Sequence, residues 1–236
     1  MTARPGSTGA ATNFMGFPPE GLRFLRELAA NNDPAWFKPR RVDYDALLRG
    51  PMVALAADVL TLAAERRLPL TGDPDKAVFR IHRDIRFSRD KRPYKTHCGA
   101  SLSRTGARLA PGLLYIHIEP GDCFVAAGFW HPEPPFLHRL RQHILAAPDR
   151  FREVVYALDR AGMPIEPDDE ATKRLPRGCE TGQGTAVEPF LKHRNFIARH
   201  SLNDSEIGSG TLPALLLDRF AAARPLLDFG WAVADE

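Results

Sequence analysis

Residues 112–130, GLLYIHIEPGDCFVAAGFW, contain the pattern that decides the fold. Apolar and polar side chains alternate on both sides of a central Glu-Pro-Gly-Asp, which is strong turn chemistry. The segment therefore predicts two antiparallel strands, at 112–118 and 123–130, joined as a β-hairpin.

The same alternation predicts two further strands, at 77–83 and 95–103. Helical patterning begins at Pro18-Pro19-Glu20 and continues through a short helix that carries Trp36 and Phe37. Further helices are predicted at 43–66, 135–147, 149–161 and 212–223, with a long loop at 162–188 and a segment at 188–200. This order predicts an α+β fold: a single domain with a mostly antiparallel sheet of four or more strands, flanked by N-terminal and C-terminal helices.

Composition narrows the class of protein. Residues 1–15 are small and polar and predict a disordered tail, so that 16–236 form the single α+β domain. Three cysteines without CxxC spacing favour a reducing, cytoplasmic location. The chain shows neither a long apolar run nor a secretion signal, and no membrane partner is predicted.

Positive charge is concentrated in residues 78–97, VFRIHRDIRFSRDKRPYKTH. Seven cations against two carboxylates give this segment a charge of +5, whereas the whole chain carries +3, so the remainder sums to −2. Clustered guanidinium groups are well suited to phosphate or carboxylate. Arg83 falls on the apolar side of its strand, where a structural ion pair is the plainest interpretation.

Strand alternation sorts the side chains into two faces. The apolar face is predicted to hold Phe79, Ile81, Cys98, Ala100, Leu114, Ile116, Ile118, Val125, Ala127 and Phe129. The opposite face is predicted to collect Arg80, His82, Lys95, His97, Tyr115, His117, Phe124 and Trp130. Cations, imidazoles and aromatic rings on one surface are typical of a small-molecule site, and equally of a solvated sheet face.

The usual motifs of several chemistries are absent from the sequence, which argues against those chemistries. The chain has no GxSxG elbow, no GxxxxGK[ST] loop and no GxGxxG fingerprint. His82, His97 and His117 share a face by parity and could hold zinc, but they lack HxxxH or HxH spacing, so no metal site is predicted. No cofactor and no catalytic residue is assigned.

Several motifs together resemble a known family. The stretch RIHRDIRFSRDKRPYKTH is preceded by FLRELAANNDPAWF and followed by AAGFWHPEP and LPRG. These motifs resemble the domain-of-unknown-function family 2461 over about residues 17–230, and the resemblance implies a single α+β domain without an activity. The matching positions are Asn32, Trp36, Phe37, Arg80, Arg83, Asp84, Arg86, Phe87, Ser88, Asp90, Lys91, Pro93, Tyr94, Lys95, Thr96, Gly128, Trp130, Pro132, Pro176, Arg177 and Gly178. After Gly178 the chain departs from the family pattern with Cys179 and TGQGT, and the Gly-rich loop 178–186 receives no role.

We therefore expect a phosphorylated or carboxylated small molecule to bind in an Arg/Lys-rich pocket. Arg177 would close over the bound anion, and phosphoester chemistry with His97 or His117 as general base is the favoured reaction if the site is catalytic. The predicted ligand-binding residues are Arg80, Arg83, Arg86, Ser88, Lys91, Tyr94, Lys95, His97, Tyr115, His117, Trp130 and Arg177.

Two alternatives remain open. The basic, aromatic-bearing sheet face could bind RNA or single-stranded DNA. The basic segment could also be purely structural, with its arginines paired to carboxylates. The oligomeric state is left unassigned.

Overall fold

The computed structural model describes residues 14–86 and 88–234. Four strands form one antiparallel sheet in the order β1-β2-β3-β4, which confirms the predicted α+β class. The strands are β1 (Cys98–Ser103), β2 (Leu113–Ile118), β3 (Phe124–Phe129) and β4 (Phe196–Ser201). The predicted hairpin is β2-β3, with Leu114 opposite Ala127 and Ile116 opposite Val125.

Helices precede and follow the first three strands along the chain. Those before the sheet are α1 (Pro19–Ala30), α2 (Pro34–Phe37), α3 (Arg41–Tyr44), α4 (Gly50–Glu65) and α5 (Pro74–Ala77). Those after β3 are α6 (Pro134–Ala146), α7 (Pro148–Arg160), α8 (Glu188–Leu191), α9 (Asp204–Ile207) and α10 (Leu212–Ala234). Short 3-10 turns lie at Lys38–Arg40 and Glu180–Gly182, and a π turn lies at Asp45–Arg49.

The core lies between the helices and the apolar face of the sheet. Helix α10 packs on α4, α7 and β3, and α4 also contacts β1. Leu114, Ile116 and Val125 on the sheet are fully buried, as are Leu216 and Phe220 on α10. The predicted sorting of β2 and β3 is therefore confirmed, because their inward positions alternate with the opposite face.

Two predicted boundaries are corrected. Residues 77–83, all within the described part of the chain, form isolated bridges such as Val78 with Ala100 instead of a strand. The fourth strand is β4, in the region predicted only as a segment. Phe14 is buried in the core, so packing begins before residue 16; the rest of the predicted tail, residues 1–13, lies outside the described residues.

Both edges of the sheet are accompanied by irregular chain. Along β1, Thr71 bridges Ser103 and Val78 bridges Ala100. Along β4, Ile165 bridges Ala198, and the Glu166 amide donates to the Ile197 carbonyl at 2.8 Å. These segments place the 78–97 and 164–170 stretches over the sheet face that the helices leave open.

No apolar run long enough to span a membrane is expected from the sequence, but the helical run Pro34–Glu65 is long and apolar enough, by length and composition, to cross one. In the fold it is divided into successive short helices and α4, whose Met52, Leu55 and Val59 are fully buried. Buried core helices share this composition, so the run carries no membrane assignment.

Candidate functional site

The open sheet face carries the polar and aromatic residues that alternation predicts. Tyr115 lies opposite Ser101, and His117 lies opposite both Gly99 and Phe124 across the two ladders. Arg199 of β4 joins them, with its guanidinium carbon 4.0 Å from the centre of the Phe124 ring. The assignment of Tyr115, His117 and Phe124 to this face is confirmed.

A cavity of about 610 Å³ lies over this face, and we call it the sheet-face cavity. Aromatic side chains form much of its wall, and the 164–170 segment borders it on the β4 side. Trp130 stands at its rim and is 56% exposed. Its lining includes Phe79, Lys95, Ser101, Arg108, Tyr115, His117, Phe124, Trp130, Glu166, Asp168, Asp169, Glu170 and Arg199.

A second cavity of about 520 Å³, which we call the side cavity, lies between the α3 region and residues 78–82. Its lining includes Arg41, Tyr44, Asp45, Arg49, Arg80, His82, Lys95 and Arg108. Phe79, Lys95 and Arg108 line both cavities, so the two spaces meet at these residues.

Lys95 and Arg108 lie where the cavities meet and Arg80 lines the side cavity beside them; we call these three residues the junction cations. The Lys95 ammonium lies 5.0 Å from the centre of the Phe79 ring, and the Arg108 guanidinium carbon lies 5.5 Å from the same ring. Among the described residues, none of the three forms an ion pair with a carboxylate. Burial lowers the pKa of Lys95, and the positive charges of Arg80 and Arg108 lower it further.

Three other arginines of the basic segment are paired within it. Arg83 contacts Asp90 at 2.7 Å, and Arg92 contacts the same carboxylate at 2.8 Å. Arg86 contacts Asp84 at 2.7 Å. The structural ion pair considered for Arg83 is therefore present.

The predicted site residues divide into three groups. Arg80, Lys95, Tyr115, His117 and Trp130 line the cavities, and His97 lies against His117 with ring centres 4.3 Å apart. Tyr94 is buried against Phe37. Within the described residues, neither His97 nor Tyr94 lines a cavity, and the same is true of Arg83, Arg86, Ser88, Lys91 and Arg177.

Two of these residues have other contacts or positions. Lys91 donates to the Ile85 carbonyl at 3.0 Å. Arg177 is exposed in the loop whose Gly178 carbonyl accepts from Gln142 of α6. The structure therefore does not gather the whole basic segment around one space.

A hydrogen-bonded chain runs along the end of β2. The Tyr115 hydroxyl lies 3.0 Å from His117 Nδ1, and His117 Nε2 lies 2.9 Å from Glu119 Oε2. The Thr96 hydroxyl donates to the other oxygen of Glu119 at 2.6 Å. When Nε2 of His117 carries the proton and faces the carboxylate, Nδ1 accepts a hydrogen bond from the tyrosine hydroxyl. This series of hydrogen bonds can therefore hold and move a proton.

The surroundings of this hydrogen-bonded series, and of His97 beside it, determine the charge states of these side chains. Burial, together with the neighbouring His117, lowers the pKa of His97 to about 4, and burial raises the pKa of Tyr115 to about 12. Burial also acts to raise the pKa of Glu119, but hydrogen bonds from Thr96 and His117 outweigh it, and the pKa falls below its usual value. At neutral pH, His97 is therefore neutral, Tyr115 is protonated and Glu119 is ionised.

A glycine makes room for Tyr115. Gly99 of β1 lies beside the tyrosine, and a Cβ at this position would stand 2.8 Å from the Tyr115 hydroxyl oxygen. The absence of a side chain lets the phenol lie over β1 and reach His117.

The 164–170 segment is held by one carboxylate. Asp168 accepts from the backbone amides of Arg194, at 2.5 Å, and Asn195, at 3.0 Å, and from the Asn195 side chain. Burial acts to raise the pKa of Asp168, but these hydrogen bonds outweigh it and the pKa is lowered. The anchored segment presents Glu166 and Asp169 to the sheet-face cavity.

Sequence reasoning missed several residues of the site, among them Glu119, Phe79 and Arg108. Glu119 was interpreted as a turn residue, although extending the β2 alternation by one step places it on the face of His117. Phe79 was assigned to the apolar face, yet its ring lies 6.1 Å from that of Tyr115 in the cavity. Arg108 lies in a loop without periodicity, and no sequence signal identifies it.

The comparison with known proteins supports a family assignment. A family model described as "Conserved hypothetical protein (DUF2461)" matches residues 20–229. The chain belongs to the DUF2461 family. No curated protein and no solved structure matches it.

Several positions that carry the family resemblance have visible roles in this DUF2461 chain. Asn32 holds the backbone of Tyr94 through two hydrogen bonds, which fixes the basic segment to the helices. Lys95 and Trp130 line the sheet-face cavity. Phe87 lies outside the described residues.

Proposed function

We propose that this protein binds a small molecule that carries a carboxylate or phosphate group, and that this group contacts the junction cations. The observation that carries the proposal is that Lys95 and Arg108 line both cavities and Arg80 lines the side cavity beside them, with no ion pair to a carboxylate among the described residues. Adjacent like charges are unfavourable unless an anion relieves them. A bound anion would also oppose the forces that lower the pKa of Lys95.

The shape of the sheet-face cavity suits the rest of such a ligand. Its volume of about 610 Å³ lies within the range of small-molecule sites. Phe79, Tyr115 and Phe124 provide aromatic surface beside the junction cations. A ring or apolar body would therefore pack against these side chains while its acidic group faced Lys95 and Arg108.

Acidic side chains at the other side of the cavity favour a ligand with a hydrogen-bond donor at the end opposite its anionic group. Lys95 and Arg108 flank β1, whereas Glu166 and Asp169 lie beside β4, three strand spacings or about 14 Å away. A hydroxyl or amine at the end of the ligand remote from its anion would find an acceptor there.

The nucleic-acid alternative is less well supported. Four carboxylates line the same face as the aromatic rings: Glu166, Asp168, Asp169 and Glu170. A phosphate chain passing over Tyr115 and Trp130 would meet this negative charge. We therefore favour a small ligand.

The test is a thermal-shift and calorimetric comparison on the full chain with inorganic phosphate, phenyl phosphate, benzoate and a short single-stranded DNA. We expect phenyl phosphate or benzoate to stabilise the protein, by about 2.7 kcal/mol at a hundredfold excess over the dissociation constant. Lys95→Met and Arg108→Gln should each weaken binding about tenfold or more, since a charge-assisted hydrogen bond contributes about 1.5–3 kcal/mol.

Arg89→Gln is the matched control, because it removes the same charge from an exposed position in the basic segment that lines neither cavity. Equal losses in Arg89→Gln and Lys95→Met would show non-specific attraction and overturn the proposal. Preferential, salt-dependent binding of the DNA would favour the nucleic-acid alternative instead. Release of phosphate from phenyl phosphate would extend the proposal to phosphoester chemistry, with His117 as the base to be tested.

A further inference from the structure

We propose that His97, His117 and Glu119 form a binding site for a divalent transition cation of the Zn²⁺ class. Among the described residues, these three side chains each offer one donor atom, and the three atoms all lie within 4.8 Å of one another. The group is not the histidine trio considered from the sequence, because His82 lies in the side cavity and Glu119 takes its place.

The β1-β2 register explains why the three donors meet. Cys98 pairs with Ile118 and Gly99 with His117, so one further step places His97 opposite Glu119. His117 lies two residues before Glu119 and therefore faces the same side. The three donors therefore lie on two paired strands or on the residues that directly adjoin them.

The distances require little rearrangement for an ion to bind. His117 Nε2 and Glu119 Oε2 are already 2.9 Å apart. Ligand atoms on one tetrahedral Zn²⁺ are separated by about 3.3 Å, given metal–ligand bonds of about 2.0–2.1 Å. The most distant pair of donors therefore needs to close by at most about 1.5 Å, which side-chain rotation can supply.

Outer contacts orient two of the three ligands. Thr96 donates to Oε1 of Glu119 at 2.6 Å and leaves Oε2 for the ion. The Tyr115 hydroxyl oxygen lies 3.0 Å from His117 Nδ1 and can accept a hydrogen bond from Nδ1–H when Nε2 binds the ion. Hydrogen bonds of this kind fix the tautomer and the direction of ligands in metal centres.

The donor set selects the class of ion. Two imidazoles and one carboxylate suit Zn²⁺, Co²⁺ or Fe²⁺, whereas Mg²⁺ and Ca²⁺ prefer oxygen ligands throughout. Three protein ligands leave at least one coordination position for water or a bound molecule. His117 also lines the sheet-face cavity, so this position adjoins the space assigned to the ligand. The metal site does not depend on that ligand.

The experiment uses the full chain after removal of metal with EDTA, titrated calorimetrically with Zn²⁺ and followed by visible absorption with Co²⁺. We expect one equivalent to bind, with ligand-field bands for Co²⁺ and no comparable binding of Mg²⁺ or Ca²⁺. His97→Gln and Glu119→Gln should weaken Zn²⁺ binding at least a hundredfold. Thr96→Val should weaken it about 10–100-fold by releasing Glu119.

His82→Gln is the matched control, and its Zn²⁺ affinity should equal that of the unchanged protein. Failure of the unchanged protein to bind Zn²⁺ or Co²⁺ would overturn the proposal. So would Glu119→Gln binding as tightly as the unchanged chain, or His82→Gln losing as much as His97→Gln. Circular dichroism checks that each variant folds. If a variant of a metal ligand does not fold, the Zn²⁺ affinity of Thr96→Val tests the proposal in its place. Retention of Zn²⁺ binding in Lys95→Met separates this site from the proposed anion site.

Discussion

The side-chain amide of Asn32 makes a two-point contact with the backbone of Tyr94, 62 residues away along the chain: its Nδ2 donates to the Tyr94 carbonyl at 3.0 Å, and its Oδ1 accepts from the Tyr94 amide at 3.0 Å. Tyr94 is only 4% exposed, so both backbone groups depend on this partner. We expect Asn32→Ala to lower the free energy of unfolding by about 1–3 kcal/mol, as measured by urea denaturation.

Asn31→Ala is the control for this change. The side-chain amide of Asn31 donates to the Glu27 carbonyl of its own helix, at an exposed position. Its loss should cost well under 1 kcal/mol. Equal effects of the two substitutions would contradict the anchoring role of Asn32.

A second prediction concerns the segment that borders the sheet-face cavity. Asp168→Ala removes the acceptor of the Arg194 and Asn195 amides, and we expect a loss of about 1.5–3 kcal/mol together with faster amide hydrogen exchange over 164–170. The adjacent Asp169→Ala changes an exposed carboxylate and should stay within about 0.5 kcal/mol. Unchanged exchange in Asp168→Ala would show that the segment is held by other contacts.

A third prediction concerns the contact between β3 and β4. Gly128 has φ +148°, and a Cβ there would lie 2.0 Å from the Phe196 carbonyl oxygen. Gly128→Ala should therefore destabilise the protein by about 3 kcal/mol or more. Gly121 also has positive φ, but nothing lies within 4 Å of its Cβ position, so Gly121→Ala should cost about 1 kcal/mol. Similar urea midpoints for the two variants would contradict this account.

A fourth prediction concerns acid. Hydrogen bonds from the Arg86 side chain lower the pKa of Asp84 to about 2, and those from Arg92 and Arg83 lower the pKa of Asp90 well below its usual range. Carboxylates whose pKa is lower in the folded state stabilise it above the unfolded value of about 4, and this contribution is lost as the pH falls from there through the folded value.

The free energy of unfolding should accordingly decrease between about pH 4 and pH 2. Asp90→Asn should be less stable than the unchanged chain at pH 7 and should show a shallower decrease in this range, because one of the titrating groups has been removed. Parallel pH profiles for the two proteins would show that these ion pairs do not contribute to stability.

Periodicity was sufficient for the central hairpin and for its two faces, because Leu114, Ile116 and Val125 alternate with Tyr115 and His117 and the register leaves no other arrangement. Periodicity failed at 77–83, because the chain forms only isolated bridges there. The position of Phe79 in an alternating pattern therefore does not indicate which face of the sheet its side chain lies on. The sequence does not predict β4 as a strand, because Arg199 and His200 interrupt its apolar pattern.

The site was less predictable than the fold. Charge composition directs attention to residues 78–97, of which Arg80 and Lys95 line the cavities, but it does not show which arginine has a partner. Asp90 accepts hydrogen bonds from both Arg83 and Arg92, because the backbone turns back between these two arginines. The sequence pattern of the segment does not specify this turn. Arg108 approaches Lys95 only through the fold, so its place at the junction required three-dimensional information.

The single bridges along both margins of the sheet bear on how the protein behaves at high concentration. Unpaired strand margins act as templates on which a second molecule can extend the sheet, a common route to aggregation. Here Thr71 and Val78 occupy part of one margin and Ile165 part of the other. Irregular segments of this kind hinder edge-to-edge pairing without adding a further strand, so the same stretches that frame the cavities also cover part of each sheet edge.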